Sequence, residues 1–272
     1  MIPHSIPVGM YHHVNNSGDD FITVSVKNFQ RQMAWLHREG YETLDADALL
    51  AVLRGERKPA RRTMVLTFDD AWLDIYVHAF PVLKQFGHKF IVFAVSDWTE
   101  QASQTEWPTA GNPVFPRHRA AEQLVAGGRA HEVICSWQHL REMQASGLAS
   151  IENHTATHPR AANLSADVLR EELRRCGSAI RENLGRDSRH LCWPYGSHSA
   201  ATLRVARELG FATTYLVRRG VNLAGGGTFA VKRFTVIDRD EAWLQQQLGI
   251  FSNPIKGLLY ARLKPDRWFG RK

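Results

Sequence analysis

Cysteine is scarce in this chain, and no two cysteines form a CxxC pair. The 272 residues include only Cys135, Cys176 and Cys192. An odd and sparse count argues against a disulfide scaffold and fits a reducing compartment. Long apolar runs are also missing, since no stretch approaches the ~18 apolar residues that a bilayer-spanning helix needs. The N-terminal sequence MIPHSIPVGMYHHV has no basic flank followed by an apolar run of signal-peptide length, so we expect a cytoplasmic protein.

The positive charge is unevenly distributed. Lysine and arginine number 34 against 27 acidic residues, which gives a formal net charge of +7. The segment 253–272 carries six basic residues and one acid, so the remainder of the chain is close to neutral. A broad nucleic-acid-binding surface is therefore excluded, and no zinc-finger, helix-turn-helix or RNA-binding motif suggests one.

Short β-branched runs alternate with helical patterns, which predicts a mostly parallel α/β sheet with helices outside. The pattern alone does not decide whether the sheet closes as a barrel. The predicted strands are Ile6–Val14, Met64–Phe68, Phe90–Val95, Ser150–Asn153, Leu191–Trp193, Thr213–Val217 and Phe229–Ile237. The predicted helices are Phe29–Arg38, Ala46–Leu53, Trp72–Phe86, Gln138–Ala145, Ala166–Leu184, Ala201–Leu209 and Glu241–Leu248.

We predict one domain over residues 1–250, followed by a basic amphipathic tail over 251–272. A long interruption over about 99–133 contains three prolines and several glycines. Loops of this length are usually functional or mobile. A surface excursion with one short helix and a substrate-binding loop are both open interpretations.

Two adjacent acids, Asp69 and Asp70, follow the apolar strand MVLTF in the motif TFDDAW. In parallel α/β folds, sites assemble at the carboxyl ends of strands. Side chains alternate along a strand, so both carboxylates reach one site only if the chain turns there. The alternative is that an aspartate simply caps the next helix.

Two histidines lie four residues apart in ENHTATHP. On a helical turn His154 and His158 would point the same way, and two imidazoles with one carboxylate form an ordinary zinc or iron ligand set. The spacing resembles HExxH, but a threonine replaces the glutamate and Pro159 stops a helix, so a zincin is excluded. Two surface histidines are the alternative.

Two further motifs are weaker when taken alone. In CWPYG, residues 192–196, proline fixes the backbone and glycine permits a tight turn that could aim a backbone N–H into a pocket. In MYHHV, His12 and His13 face opposite sides of a strand, so at most one is expected to reach a central site.

Together and in this order, YHHV, TFDD, HTATH and WPYG resemble the polysaccharide deacetylase family, the NodB-homology or carbohydrate esterase family 4 domain. The resemblance covers residues 5–238. It implies a distorted, incomplete (β/α) barrel that removes N-acetyl groups from glycans with the help of one divalent metal ion. By motif position, it implies Asp69 as general base and Asp70, His154 and His158 as metal ligands. Tyr195 would offer its backbone N–H to the oxyanion.

Two departures indicate the circularly permuted, PgaB-like branch of that family. The common third motif has an arginine that pairs with the catalytic base, and here Cys192 stands at that position. The common fifth motif has a late acid histidine, and no candidate follows His198. The PgaB-like branch carries its acid histidine in an N-terminal Y-H-x-V motif, which makes His12 the expected general acid.

Three other residues are candidates for binding substrate or orienting the base. They are His13, Trp193 and Arg233, and Arg233 is the candidate replacement for the missing arginine. Zinc is the favoured metal, with cobalt, nickel, iron and manganese as alternatives. A weaker resemblance to NaxD-type deacetylases implies an N-acetylhexosamine of lipopolysaccharide or another cell-surface polysaccharide, in a lipid-linked form.

The tail suggests two arrangements. Ile255, Leu258, Leu259 and Leu263 share one face at helical spacing, among basic residues. This pattern suits peripheral contact with an anionic membrane at the inner face of the cytoplasmic membrane. It equally suits a helix packed on the domain with its charged side in solvent.

An O-acetyl esterase, a non-sugar amidase and an inactive glycan-binding homologue are the alternative functions.

Overall fold

Hydrophobic strands of two to seven residues form the centre of the fold. The computed structural model describes residues 4–18, 20–105 and 113–263. The strands in these residues are β1 Val8–Tyr11, β2 His13–Val14, β3 Thr23–Val24, β4 Glu42–Thr43, β5 Thr63–Asp69, β6 Phe90–Ala94, β7 Ala149–Asn153, β8 His190–Cys192, β9 Thr213–Tyr215, β10 Phe229–Val231 and β11 Phe234–Thr235.

The main sheet is parallel and runs in the order β10-β9-β8-β7-β6-β5-β1-β11, with β4 beside the start of β5. If this sheet were flat, its two edge strands would lie about 34 Å apart at the usual strand spacing. However, Val231 of β10 and Phe234 of β11 are three residues apart, which limits their separation to about 11 Å. The sheet must therefore curl until its edges approach each other. The predicted incomplete barrel is confirmed.

Ten α-helices surround this sheet in the described part of the chain. Six of them begin at a serine or aspartate whose side chain accepts a backbone N–H of the first turn. The helices are α1 Val26–Arg38, α2 Ala46–Arg54, α3 Phe80–Phe86, α4 Ser96–Ser103, α5 His118–Ala126, α6 Trp137–Ala145, α7 Ala166–Leu184, α8 Ala200–Glu208, α9 Glu241–Phe251 and α10 Pro254–Leu263.

Two apolar layers lie on the two faces of the sheet. Leu66 and Phe68 of β5 face outward and pack in a cluster with the helices. Val65 faces inward and packs with Phe93 in the barrel interior. Because side chains alternate along a strand, Asp69 also points into the interior, at the end where β5 stops.

Three elements differ from the sequence prediction. The first strand is broken at His12, between β1 and β2, and the last strand is split between β10 and β11. The helix expected over Trp72–Phe86 begins as a π-helical turn, Ile75–Ala79, before α3. Pro81 has no N–H to donate within the first turn of α3, which disturbs the hydrogen-bond ladder there.

The interruption over 99–133 is more ordered than a single short helix implies. Helix α4 continues to Ser103, and α5 and a 3₁₀ turn, Ala130–Glu132, follow. Residues 106–112 lie outside the described residues.

The tail begins inside a helix, because α9 extends to Phe251 and α10 follows directly. Of the two arrangements left open, the one in which the apolar face packs on the domain is wrong, since Ile255, Leu258, Leu259 and Leu263 are exposed, as are Lys256 and Arg262. Among the residues that the structure describes, no helix is long and apolar enough to cross a bilayer.

Candidate metal centre and active site

The two acids of TFDD reach one site because the chain turns between them. Asp69 is the last residue of β5, and Asp70 has a left-handed backbone with φ 71°. Ala71, with φ 57°, continues the turn. Such angles are uncommon for residues other than glycine, and they are typical of functional sites. The indole N–H of Trp72 donates to Asp70 Oδ2 over 3.0 Å, so that only Oδ1 remains directed into the site.

The two histidines of HTATH lie on a loop after β7. The prediction that a helical turn aligns them is wrong, because Thr155 and His158 have left-handed φ angles of 68° and 61°. Side chains replace the helical hydrogen bonds: Asn153 Oδ1 accepts the N–H of Thr155, and Thr155 Oγ1 accepts the N–H of His158. The Glu172 carboxylate on α7 accepts hydrogen bonds from the backbone N–H groups of Ala156 and Thr157, between these two residues.

Asp70, His154 and His158 form a buried triangle of potential ligand atoms. Asp70 Oδ1 lies 3.2 Å from Nε2 of each histidine. Two ligands of a tetrahedral zinc ion, each about 2.0–2.1 Å from the metal, lie roughly 3.3 Å apart, so the triangle fits such an ion. The Asp70 Oδ1 atom is buried without a hydrogen-bond partner. Nδ1 of His154 faces the Cys192 carbonyl oxygen at 2.8 Å, so Nδ1 carries a hydrogen and Nε2, on the side of Asp70, is the nitrogen that would bind a metal.

The electrostatics of this triangle favour a cation. Burial alone would raise the pKa of Asp70, but His158 and His154 hold the pKa well below its usual value. Burial alone would lower the pKa of His154, yet Cys192 and the Asp70 carboxylate raise it well above the ordinary value. The donor set of one carboxylate and two imidazoles is typical of zinc or iron, and these three residues fit the implied metal.

Arg233 supplies the guanidinium that the third motif lacks. Its Nη1 donates to Asp69 Oδ1 over 2.6 Å and its Nη2 to Asp69 Oδ2 over 2.7 Å. Nη2 also lies 3.0 Å from Cys192 Sγ. The small Cys192 side chain on β8 leaves room for Arg233, which arrives from the seam between β10 and β11. The expected pairing of Arg233 with the base is present in the structure.

This ion pair keeps Asp69 ionised. Burial raises the pKa of Asp69, but the charge and hydrogen bonds of Arg233 outweigh that effect and lower the pKa below its usual value. A second cluster of ligand-type atoms, Asp69, His154 and Cys192, overlaps the triangle. We do not assign a metal to it, because Arg233 already neutralises Asp69 and burial raises the pKa of the Cys192 thiol.

His12 lies on the other side of Asp69, at the break between β1 and β2. Its Nε2 is 4.0 Å from Asp69 Oδ2, and the residue is 6% exposed. Burial lowers the pKa of His12 to about 4, although Asp69 and Asp70 counteract this shift. The imidazole is therefore neutral at pH 7 in the resting site.

His13 points away from Asp69, as strand alternation predicts. Its Nδ1 donates to Asp74 Oδ2 over 2.8 Å, and its Nε2 is 3.1 Å from His118 Nδ1. The ring of His13 packs on Trp72, with centroids 4.5 Å apart. His13 thus supports the indole that holds Asp70. Sequence reasoning missed Asp74 and His118, because neither belongs to a motif. Asp74 lies just after TFDDAW, and His118 lies in the long interruption.

The WPYG turn brings Tyr195 to the histidines. Tyr195 has φ 58°, and its ring lies 4.6 Å from the ring of His158 and under the Arg160 guanidinium at 4.3 Å. Trp193 lies elsewhere: its side chain is fully buried in an apolar cluster with Leu169 and Leu173. The structure therefore places Trp193 in the core behind the turn, where substrate does not reach.

The architecture matches that of solved deacetylases. The deacetylase PplD of Streptococcus pyogenes, whose structure contains acetate, superimposes with a TM-score of 0.74 at 22% identity, over 90% of this chain and 99% of that one. This likeness shows the fold.

Two relatives match in sequence. A provisionally assigned polysaccharide deacetylase, YxkH of Bacillus subtilis, is 25% identical over 86% of this chain and 72% of its own length. The poly-β-1,6-N-acetyl-D-glucosamine N-deacetylase of Escherichia coli is 22% identical over 78% of this chain. The chain covers about a third, 34%, of that E. coli protein. The family profile for polysaccharide deacetylases matches residues 56–214, more than half of the sequence. The chain belongs to the polysaccharide deacetylase family.

Proposed function

We propose that this protein is a metal-dependent hydrolase that removes the N-acetyl group from an N-acetylhexosamine of a cell-surface polysaccharide. One observation carries the proposal: a carboxylate held ionised by Arg233 stands beside a buried triangle of one aspartate and two histidines. The name of the E. coli relative, a poly-β-1,6-N-acetyl-D-glucosamine N-deacetylase, supports the choice of substrate class. A lipopolysaccharide substrate and a lipid-linked carrier stay predictions.

Asp70, His154 and His158 would hold the metal, and zinc is the ion that we propose. When bound, a divalent cation polarises the amide carbonyl and lowers the pKa of a water molecule. Asp69 then accepts the proton of the attacking water. It can do so at neutral pH because Arg233 keeps the carboxylate ionised. Arg233 also fixes both carboxylate oxygens, so that Asp69 stays oriented through the reaction.

His12 would protonate the departing sugar nitrogen. Its resting pKa of about 4 means that the imidazole begins the reaction neutral. Negative charge that develops on the tetrahedral oxyanion raises the proton affinity of His12. The proton that Asp69 removes from water then passes to His12, whose Nε2 is 4.0 Å away, and from there to the amine. One proton leaves the water and one arrives at the nitrogen, so the step balances.

The Tyr195 backbone N–H is our candidate for the oxyanion donor. The left-handed conformation at Tyr195 turns this peptide at the point where its ring meets His158. A donor of this kind is typically worth ~3 kcal/mol in transition-state stabilisation. The pairing of Arg233 with Asp69 supports an active enzyme over an inactive glycan-binding homologue, because Arg233 takes the place of the missing arginine.

Mass spectrometry of β-1,6-linked N-acetylglucosamine oligomers tests the proposal. We expect loss of acetyl groups with the zinc-loaded protein and no loss after chelation. Asp69→Asn should abolish turnover while zinc remains bound, whereas Asp70→Asn should lose the metal as well. The two variants are matched, because each replaces one carboxylate by an amide of the same shape.

Two outcomes would overturn the assignment. One is full deacetylase activity in either variant. The other is release of acetate from O-acetylated sugars but from no N-acetylated one, which would make the protein an esterase with the same site.

A further inference from the structure

Helix α10 presents an apolar surface to solvent. Ile255 is 65% exposed, Leu258 54%, Leu259 57% and Leu263 72%. In the part of the chain that the structure describes, these are four of the seven large apolar side chains that are exposed. Single exposed apolar residues are ordinary, but four on one ten-residue helix form a patch that indicates an interaction site.

The opposite side of α10 is firmly packed. Gly257 faces the body of the protein so closely that a Cβ there would lie 2.5 Å from Cγ1 of Val221. The Tyr260 ring packs edge-on against Phe251, with centroids 5.7 Å apart. Asn253 Oδ1 accepts the N–H groups of Ile255 and Lys256 and so caps the helix. The leucines therefore point outward because the small and aromatic residues occupy the inward side.

Basic side chains surround this patch. Lys256 and Arg262 are exposed on α10 itself, and exposed Arg61 and Arg62 line a cavity of about 380 Å³ against its first turn at Pro254. The segments 54–62 and 253–272 together carry nine net positive charges. The whole chain carries +7, so everything else is net negative by two. Along the sequence, the positive charge is thus concentrated in these two segments, the second of which contains α10.

The patch lies at the opposite end of the barrel from the metal centre. The N–H of Ser5, which precedes β1, donates to the carbonyl oxygen of Ser252, which precedes α10. Arg62 immediately precedes β5, whereas Asp69 ends it. Seven residues of strand separate the two ends by about 20 Å. The active site therefore faces away from the patch.

We propose that α10 and the basic segment 54–62 dock the protein peripherally on an anionic membrane surface, with the active site directed away from the bilayer. Apolar side chains flanked by lysine and arginine are the composition that inserts at the interface of anionic lipids. The sequence continues beyond Leu263 with four more basic residues, a tryptophan and a phenylalanine. A docked protein would act on sugars distant from the membrane, which favours the outer part of a long glycan over the sugar next to a lipid carrier.

Vesicle sedimentation of the full chain tests the docking. We expect binding to phosphatidylcholine vesicles that contain about 30% phosphatidylglycerol, little binding to phosphatidylcholine alone, and release when the ionic strength rises from about 0.1 M to about 0.5 M. Leu258→Glu/Leu259→Glu should weaken binding by about tenfold or more. Val168→Glu is the matched control, because Val168 is 50% exposed on α7 and should leave binding unchanged.

The orientation has its own readout, which does not depend on enzyme activity. The three native cysteines are buried, so a single introduced cysteine can be labelled with a polarity-sensitive dye. A dye on Arg262→Cys should report insertion on vesicle addition, and a dye on Ala200→Cys, at the start of α8 on the catalytic end, should not.

Three results would overturn the proposal. The first is equal binding of the wild type and the double variant to anionic vesicles. The second is insertion of the Ala200→Cys dye. The third is a dimer in light scattering that the double variant converts to a monomer without any vesicle binding, since a second copy of the chain would then cover α10. None of these results depends on deacetylation of soluble oligomers, so the docking proposal and the proposed function are tested independently.

Discussion

Asp69 is ionised in the barrel interior because Arg233 binds both of its oxygens. Breaking a buried ion pair on one side typically costs 3–5 kcal/mol, since the other charge stays buried and unpaired. The folded-state pKa of Asp69 is below its ordinary value. The pair therefore stabilises the fold above about pH 4, the ordinary pKa of aspartate, and this stabilisation is lost as the pH falls through the lowered pKa.

Replacing Arg233 by methionine should slow catalysis and change its pH dependence. Without the guanidinium, burial raises the pKa of Asp69, so the acid limb of kcat/KM should move to higher pH. We expect kcat/KM at pH 7 to fall about a hundredfold. Arg233→Lys keeps the charge but not the two-point geometry, and its shift should be smaller. The double variant Asp69→Asn/Arg233→Met leaves no unpaired buried charge, so its stability shows whether the single variant is misfolded. An unchanged acid limb in Arg233→Met would contradict the role of Arg233.

Because the His12 imidazole is neutral in the free protein, it predicts the shape of the kcat/KM profile on the alkaline side. Its pKa of about 4 in the free protein falls further when a cation binds nearby. The profile of kcat/KM, which reports the free enzyme, should therefore show no fall with an apparent pKa near 6.5. Steady-state kinetics of the zinc-loaded protein between about pH 5 and pH 9 checks this. A limb near 6.5 that disappears in His12→Asn would mean that His12 must be protonated before substrate binds.

The loop between β7 and α7 shows how a local element sets the ligand geometry. The four-residue spacing in HTATH predicted a pair of converging imidazoles, but through a helix that does not form. The left-handed angles at Thr155 and His158 persist because side chains inside and outside the motif accept the backbone N–H groups of the loop. Glu172 is the main one, and it is buried on α7 with its carboxylate against the N–H groups of Ala156 and Thr157.

Glu172→Ala should lower the affinity for the metal, although Glu172 is not one of the proposed metal ligands. It removes the acceptor of two loop N–H groups and of the Thr157 hydroxyl, so His154 and His158 lose their fixed orientation. Such supporting residues typically change metal affinity about 10–100-fold. Competitive zinc titration with a chelating dye measures the change. Glu171→Ala, an exposed neighbour on the same helix, is the control, and equal affinities in the two variants would rule out this role.

Strand periodicity made the sheet and the inward direction of Asp69 predictable from sequence. The sequence showed that the chain must turn at Asp70 if both carboxylates are to reach one site. It did not show that the turn forms, since no glycine marks the left-handed backbone there. Glu172 and Asp74 could not be predicted, because they lie outside the motifs and approach the site only through tertiary packing. The sequence identified the apolar face of α10 but left open whether it is exposed or packed on the domain, because that orientation depends on the contact of Gly257 with Val221, which are distant in sequence.

At the scale of the whole molecule, the candidate active site and the proposed docking surface lie at opposite ends of one barrel. The carboxyl ends of the strands carry the buried charges of the metal centre, and the amino ends carry the exposed basic and apolar residues around α10. This separation permits either end to change without the other. It also means that metal binding reports on the folded barrel as a whole, since β5, the β7 loop and Trp72 must all be in place.

Zinc should therefore stabilise the folded chain, and the two adjacent acids should differ in their effect. A ligand at about 100 times its Kd contributes about 2.7 kcal/mol of stability, which for a chain of this length raises Tm by about 5 °C. Calorimetry with and without zinc should show this increase in the wild type and in Asp69→Asn. Asp70→Asn should lose it, because Asp70 Oδ1 is the buried, unpartnered oxygen that lies 3.2 Å from Nε2 of both histidines. A zinc-dependent increase that survives in Asp70→Asn and disappears in Asp69→Asn would move the metal to the cluster of Asp69, His154 and Cys192.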